Sequence, residues 1–265
     1  MIPNKALKIA RFAISDFHPK NRWLSLPEIL FYSSNIGSAR IALDVGATRQ
    51  KAYMEQFGLM DRASIELPEV GTPLLPSPWR DINVMTASYG HGIAVTPLQL
   101  AAAVSAVVNG GILRPATLLK RDPVLPLPGE RVITEKTSDS MRKMMRLVVR
   151  AGTAGKADAK GYRVGGKTGT AEKLENGRYR KDALISSFVG VFPMDAPRYV
   201  VLVVIDEPKG KESTFGYATG GWVAAPAVGR IVDRIAPVMG IAPSTGPEPL
   251  PKAGDPMFVA VKAAM

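Results

Sequence analysis

The spacing of apolar residues divides the chain into a helical first half and a strand-rich second half. Leu7 to Ser15 alternates partly in strand fashion, and Asp16 to Arg22 reads as a loop. Ser25-Leu26-Pro27-Glu28 has capping-box spacing, with proline tolerated in the first turn, and predicts a helix start. The apolar pattern runs through Ile29, Leu30 and Phe31, stalls at Ser33-Ser34-Asn35, and resumes at Ile36, Ala39, Ile41 and Leu43, which predicts two short helices joined by a polar turn. A further capped helix is expected over Thr48 to Phe57, closed by Gly58, and a proline-rich loop over Glu66 to Trp79. Thr96-Pro97 opens a helix with a core face of Leu98, Leu100, Ala101, Val104, Val107 and Val108, and Gly110-Gly111 stops it. Ser138 to Ala151 carries Met141, Met144, Met145, Leu147 and Val148 at helical spacing, with arginine and lysine on the outer face.

After Gly152 the pattern changes to strands: Tyr162 to Glu172, Ile185 to Phe192 and Tyr199 to Asp206, separated by turn signals at Asn176-Gly177 and Asp195 to Pro197. Short turns predict antiparallel neighbours. A last helix, about Val223 to Ile235, presents Val228, Ile231, Val232 and Ile235 to cover that sheet. The pattern thus predicts an α+β fold, with a helical lobe over about 23–152 and a sheet with its final helix over about 160–238. The prolines and glycines beyond it predict a loose tail over 241–265.

Composition changes this picture little. With 265 residues and 46% apolar content the chain can bury a core. The net charge of +11 would attract anionic partners. No basic cluster is interleaved with aromatics, so nucleic acid is not expected as a partner. The absence of cysteine removes disulfides and thiolate chemistry and fits either redox compartment. His18 and His91 are too few for a three-histidine metal site, so no metal and no cofactor is expected. The N-terminus scatters charges through its apolar positions, unlike a signal peptide, and no stretch approaches the roughly 20 apolar residues of a membrane span.

Candidate chemistry centres on Gly165-Gly166-Lys167-Thr168-Gly169-Thr170. A lysine followed by small residues on a strand edge suits recognition of a carboxylate and a peptide backbone. Gly161 to Thr168 also satisfies the phosphate-loop pattern, which would make the chain an NTPase. That loop must leave a buried strand and enter a helix, however, and the turn residues Asn176-Gly177 leave no room for one. Ser33-Ser34-Asn35, taken alone, is a helix corner. In combination, an S-x-N turn between helices followed by K-T-G on a strand is part of the signature of penicillin-binding proteins and class A β-lactamases.

The wider sequence resembles class B penicillin-binding proteins, and more narrowly the septal peptidoglycan D,D-transpeptidases of bacterial cell division. The resemblance is carried by Arg11-Phe12 with Asp16-Phe17-His18-Pro19, by Ser33-Ser34-Asn35-Ile36-Gly37, by Ser88-Tyr89-Gly90-His91-Gly92 with Thr96-Pro97-Leu98-Gln99-Leu100, and by Gly165 to Lys173. It implies a β-lactamase-like transpeptidase domain, an antiparallel sheet flanked by helices. It implies peptidoglycan stem peptides as substrates, penicillin and other β-lactams as ligands, division-machinery membrane proteins as partners, and the periplasmic face of the inner membrane as location. Carried onto this sequence, Ser33 would relay a proton with Lys167 beside it. Asn35 would hold the substrate amide and the nucleophile's lysine, Thr168 and Thr170 would bind the terminal carboxylate, and Gly169 would let the acyl peptide lie close.

The family's Ser-x-x-Lys precedes S-x-N, and nothing between Met1 and Ser33 supplies it. Ser140-Met141-Arg142-Lys143 fits the pattern but follows S-x-N on an amphipathic helix, where Lys143 is expected to share a solvated side with Arg142 and Arg146. The expectation is therefore the C-terminal part of a transpeptidase domain, without the first strands and nucleophile helix, inactive by itself. A non-catalytic gene fragment is the first alternative, and a phosphate-loop NTPase using Gly161 to Thr168 the second.

Overall fold

A computed structural model of the chain describes residues 2–248 except positions 4, 10, 11, 123, 176, 177, 245 and 247. In chain order the first elements are β1 (Ile2–Pro3), β2 (Leu7–Ile9), β3 (Phe12–Ile14), β4 (Trp23–Leu24), α1 (Leu26–Phe31), α2 (Asn35–Val45) and α3 (Ala47–Gln56). The middle contains α4 (Asp81–Ala87), α5 (Pro97–Val108), β5 (Ile112–Leu113), β6 (Glu130–Arg131) and α6 (Glu135–Ala151). The last part contains β7 (Gly165–Glu175), β8 (Arg178–Phe192), β9 (Tyr199–Asp206), α7 (Gly220–Val223) and α8 (Ala225–Val238).

The chain divides into two compact units. One comprises Met1–Leu24 with Ser34–Met141, the other Ser25–Ser33 with Arg142–Met265. This differs from the expected lobe over 23–152, because α1 and the second half of α6 belong with the sheet. The reason is apolar packing: Leu30 lies against the core that contains Val148 and Val149, and Phe31 clusters with Leu147.

In the first unit β1 pairs with β4, and β2 pairs antiparallel with β3 through Leu7↔Ile14, Lys8↔Ala13 and Ile9↔Phe12. The single strand expected over Leu7 to Ser15 is therefore a two-strand ladder, a reversal that alternation alone does not register. Ile14, Ile36, Ala39 and Met85 form one core cluster of this unit. The helix α4 was not expected. Its start is capped by Asn83, whose Oδ1 accepts from Arg80 N at 3.0 Å, a residue that departs from the Glu/Gln template. α3 starts after Gly46, at φ +80°, without a side-chain cap, so Thr48 lies inside its first turn. α5 follows its prediction at both ends, but of the expected face only Val108 is fully buried, together with Gln99, Ala103 and Ala106; Leu100, Ala101, Val104 and Val107 are half-buried and Leu98 is exposed. Gln99 sets that rotation: its Oε1 accepts from Thr96 N and its Nε2 donates to the carbonyls of Gly58 and Asp61.

The second unit is built on a three-stranded antiparallel sheet in the order β7-β8-β9. β9 has the expected bounds, while β7 runs over Gly165–Glu175, shifted three residues from the expected 162–172, and β8 begins at Arg178, seven residues before the expected Ile185; a bulge between Glu172 and Lys173 interrupts their ladder. The turn expected at Asn176-Gly177 lies outside the described residues. Phe188, Phe192, Val164, Val148, Val228 and Val232 form the core between the sheet, α6 and α8. Fully burying a side chain such as Phe188 contributes about 1.5–3 kcal/mol. The expected final helix is present, with α7 as a separate short turn before it.

The segment after α8 is not loose as far as it is described. Ile241 is buried in the core, Ser244 N donates to Gly161 O, and Glu248 pairs with Arg146 at 2.8 Å. Arg146 is thereby taken off the solvated face predicted for it: its guanidinium also meets Asp158 at 2.7 Å and the Val164 carbonyl at 2.6 Å. Residues 249–265 lie outside the described part.

Candidate active site

β7 is an edge strand of its sheet, and its first residues are shaped by glycine. A Cβ on Gly166 would lie 2.3 Å from Val189 O and 2.4 Å from the Phe188 ring, so only glycine lets the strand lie this close to that ring. The next residue, Lys167, donates from Nζ to Ser33 Oγ at 2.7 Å and to its neighbour's carbonyl, Thr168 O, at 3.0 Å. Burial of the ammonium lowers the Lys167 pKa to about 8, because protein replaces the water that would solvate the charge.

Ser33 reaches that position through the end of α1. Ser25 N and Oγ both donate to Glu28 Oε2, at 2.8 and 2.9 Å, so the capping box forms by its carboxylate arm, and Glu28 is fully buried. After Phe31 the chain turns, Ser33 N donates to Leu30 O at 3.2 Å, and Ser33 takes φ +55°. A serine in this left-handed region carries strain of order 1–3 kcal/mol, which the surrounding packing must hold in place.

Asn35 is the first residue of α2 in the other unit, where its Nδ2 donates to Ser15 O at 3.3 Å. The helix N-terminus is fixed by Asp16, which accepts from Ser34 Oγ at 2.7 Å and from Ile36 N at 3.0 Å, while Ser34 Oγ accepts from Gly37 N at 3.0 Å. The sequence places Asp16 in an expected loop and in a run that carries the family resemblance, but assigns it no partner. No local spacing joins it to Ser34.

The alternation of β7 places Thr168 and Thr170 on one face. Thr168 Oγ1 lies 2.9 Å from Thr153 Oγ1, and Thr170 Oγ1 accepts from Gly220 N at 3.0 Å. Neither Thr153 nor Gly220 stood out in the sequence. Between the threonines, a Cβ on Gly169 would lie 2.6 Å from Ser187 Oγ on the neighbouring strand, so the sheet itself already favours glycine there. Ser33, Lys167, Thr168, Gly169 and Thr170 thus gather in one unit.

The phosphate-loop reading of Gly161 to Thr168 fails on this geometry. Lys167 and Thr168 lie inside an antiparallel strand, opposite Val189 and Phe188, and β7 leads into β8. No helix follows whose amides could hold a phosphate. Ser140 lies on α6, where its hydroxyl donates to Lys136 O at 3.0 Å. Among the described residues no group of three or more His, Cys, Asp or Glu is placed to hold a metal, and no helix is long and apolar enough to cross a membrane.

A family model for the penicillin binding protein transpeptidase domain matches residues 2–233. The probable peptidoglycan D,D-transpeptidase FtsI of Caulobacter vibrioides is 44% identical over 247 residues, covering 90% of this chain. The chain spans only 42% of that protein's length. Among solved structures, the transpeptidase domain of Burkholderia pseudomallei penicillin-binding protein 3 superposes with a TM-score of 0.83 at 33% identity, over 92% of this chain and 73% of that one. Penicillin-binding protein 3 of Mycobacterium tuberculosis, complexed with ampicillin, superposes with a TM-score of 0.82 at 25% identity, over 94% of this chain and 58% of that one.

Proposed function

This chain belongs to the penicillin-binding protein transpeptidase domain family, and from that premise we propose that it supplies the substrate-holding part of a peptidoglycan D,D-transpeptidase. In that reaction a serine attacks the penultimate D-alanine of a stem peptide and expels the terminal D-alanine. The acyl group then passes to an amine of a neighbouring strand. The observation that carries the assignment is the 2.7 Å bond from Lys167 to Ser33, made by a lysine whose pKa is lowered to about 8. Such a lysine exchanges protons readily near neutral pH, so Ser33 can pass a proton to the leaving amine, or take one from the attacking group, without becoming a costly isolated alkoxide.

Thr168 and Thr170 bind the terminal carboxylate, and the substrate backbone adds to the open edge of β7 as a further strand beside Gly169. Asn35 is assigned to the substrate amide on its motif alone. The acylated serine is none of these: Ser33 acts as relay, and Ser140 is engaged within its helix. β-Lactams mimic the stem peptide and compete for the same edge. Stem peptides and membrane proteins of the division machinery are the partners of this reading, with the periplasmic face of the inner membrane as its location.

Two measurements on the 265-residue chain test it. Titration with a peptide ending in D-alanyl-D-alanine should move the NMR signals of Lys167, Thr168 and Thr170, and magnesium-ATP should move none. Intact mass after incubation with penicillin should show no covalent adduct. A stoichiometric adduct would place a nucleophile among these residues, and nucleotide binding abolished by Lys167→Ala would replace the transpeptidase reading altogether.

A further inference from the structure

The Thr168 hydroxyl, assigned above to a substrate carboxylate, already has a protein neighbour in Thr153 Oγ1, 2.9 Å away. Each threonine hydroxyl owns one proton, so in this pair one donates and the other accepts. A carboxylate can only accept. If Thr168 is to give its single proton to a carboxylate, it must take its own bond from Thr153. The ligand's charge thereby fixes the direction of a bond whose geometry would otherwise permit either sense.

Thr153 is held well enough to serve as that donor. The amides of Gly152 and Ala154 both donate to Val148 O, at 3.1 and 3.2 Å, closing the end of α6, and Ala154 is fully buried. A Cβ on Gly152 would lie 3.1 Å from the Phe31 ring, and one on Gly221 would lie 2.3 Å from Thr153 O. The backbone at 152–154 is thus enclosed on both sides, which fixes the starting point of the Thr153 side chain. Thr170 is served in the same way, since its oxygen accepts from Gly220 N at 3.0 Å. Thr170 therefore has a fixed donor in Gly220 N, and Thr168 has in Thr153 a neighbour placed to donate, which would leave the proton of each threonine to be aimed at a ligand.

We propose that Thr153 is a positioning residue for carboxylate recognition, which touches no ligand and acts by donating to Thr168. The inference rests on the transpeptidase reading. It distinguishes Thr153 from a residue that merely packs, because the effect of losing its hydroxyl depends on whether the ligand ends in a carboxylate or in a neutral amide.

The test titrates the full chain with a peptide ending in D-alanyl-D-alanine and with the same peptide as its C-terminal carboxamide, following NMR shifts. Thr153→Val and Thr153→Ala should weaken the carboxylate peptide by about fivefold to tenfold, the worth of one aligned hydrogen bond, and leave the weaker carboxamide nearly unchanged. Thr153→Ser should restore the parent affinity. Equal weakening of both peptides, or no weakening in the variant that remains folded, would overturn the role of Thr153 while leaving the transpeptidase reading in place. Binding of neither peptide by the parent chain would overturn both.

Discussion

The Lys167 ammonium lies 2.7 Å from the Ser33 hydroxyl, although 134 positions of sequence separate them. The contact joins the left-handed turn that ends α1 to the second residue after the start of β7, and both are held by packing. Phe31 anchors one side against Leu147, and Phe188 lies beneath Gly166 on the other.

Burial of Lys167 makes stability depend on pH. Its folded pKa of about 8 is below the ordinary lysine value of about 10.4, so between those values the unfolded chain binds more protons and stability rises with pH. Below about 8 the penalty is fully present. Lys167→Met removes the charge and should unfold at higher denaturant than the parent at pH 7, with the difference shrinking above pH 8 and closing near pH 10.4. Urea titrations across that range check this, and a difference that stays constant with pH would contradict it.

Asp16 should matter more than its loop position suggests. Asp16→Ala removes the acceptor for Ser34 Oγ and for Ile36 N, and should cost about 1–3 kcal/mol in chemical denaturation. Asp16→Asn keeps one oxygen acceptor and should lose less. Equal losses would show that the charge, and not the hydrogen bonds, holds the start of α2.

Adding one methyl group at Gly166 should be costly, because the backbone carbonyl of Val189 and the buried Phe188 ring cannot both withdraw. Gly166→Ala is expected to destabilise by about 2–3 kcal/mol as an overpacking change. Gly155→Ala, whose new Cβ would meet its nearest neighbour at an ordinary 3.7 Å, should stay within about 0.5 kcal/mol. Similar melting temperatures for the two variants would disprove the crowding argument.

Glu248 holds the segment after α8 to Arg146. Burial pushes its carboxyl upward, but the hydrogen bonds and charge of Arg146, with Arg150 and Arg163 nearby, outweigh that and keep its pKa below the ordinary range. A depressed carboxylate contributes stability that is present above its unfolded pKa and lost as pH falls through the folded one. Glu248→Gln should therefore cost about 1–2 kcal/mol at pH 7, and the cost should fade on acidification below about pH 4.3. A pH-independent cost would point to packing alone.

Much of this was legible in the chain itself. The turn at Ser33-Ser34-Asn35, the cap at Thr96-Pro97, the strand Tyr199–Asp206 and the K-T-G run each depend on residues close together in sequence, where capping geometry and alternation act directly. The buried face of α5 is rotated from the expected one, with Val108 kept and Leu98 turned out, because a buried glutamine at the first turn found distant carbonyls. The first residues of the expected loose tail are held, at Ile241, Ser244 and Glu248, because an arginine read as solvated found Glu248, 102 positions away.

The sequence by itself determined the longer helices, the antiparallel order of the last three strands and the residues proposed for carboxylate and backbone recognition, since each rests on local periodicity and on side-chain chemistry. Only the tertiary structure decided that Ser33 groups with the sheet, that Asp16 caps α2, that Thr153 faces Thr168 and that Lys167 is desolvated. Those outcomes depend on which surfaces exclude water and which donors meet acceptors across long separations, and no periodicity along the chain encodes such meetings.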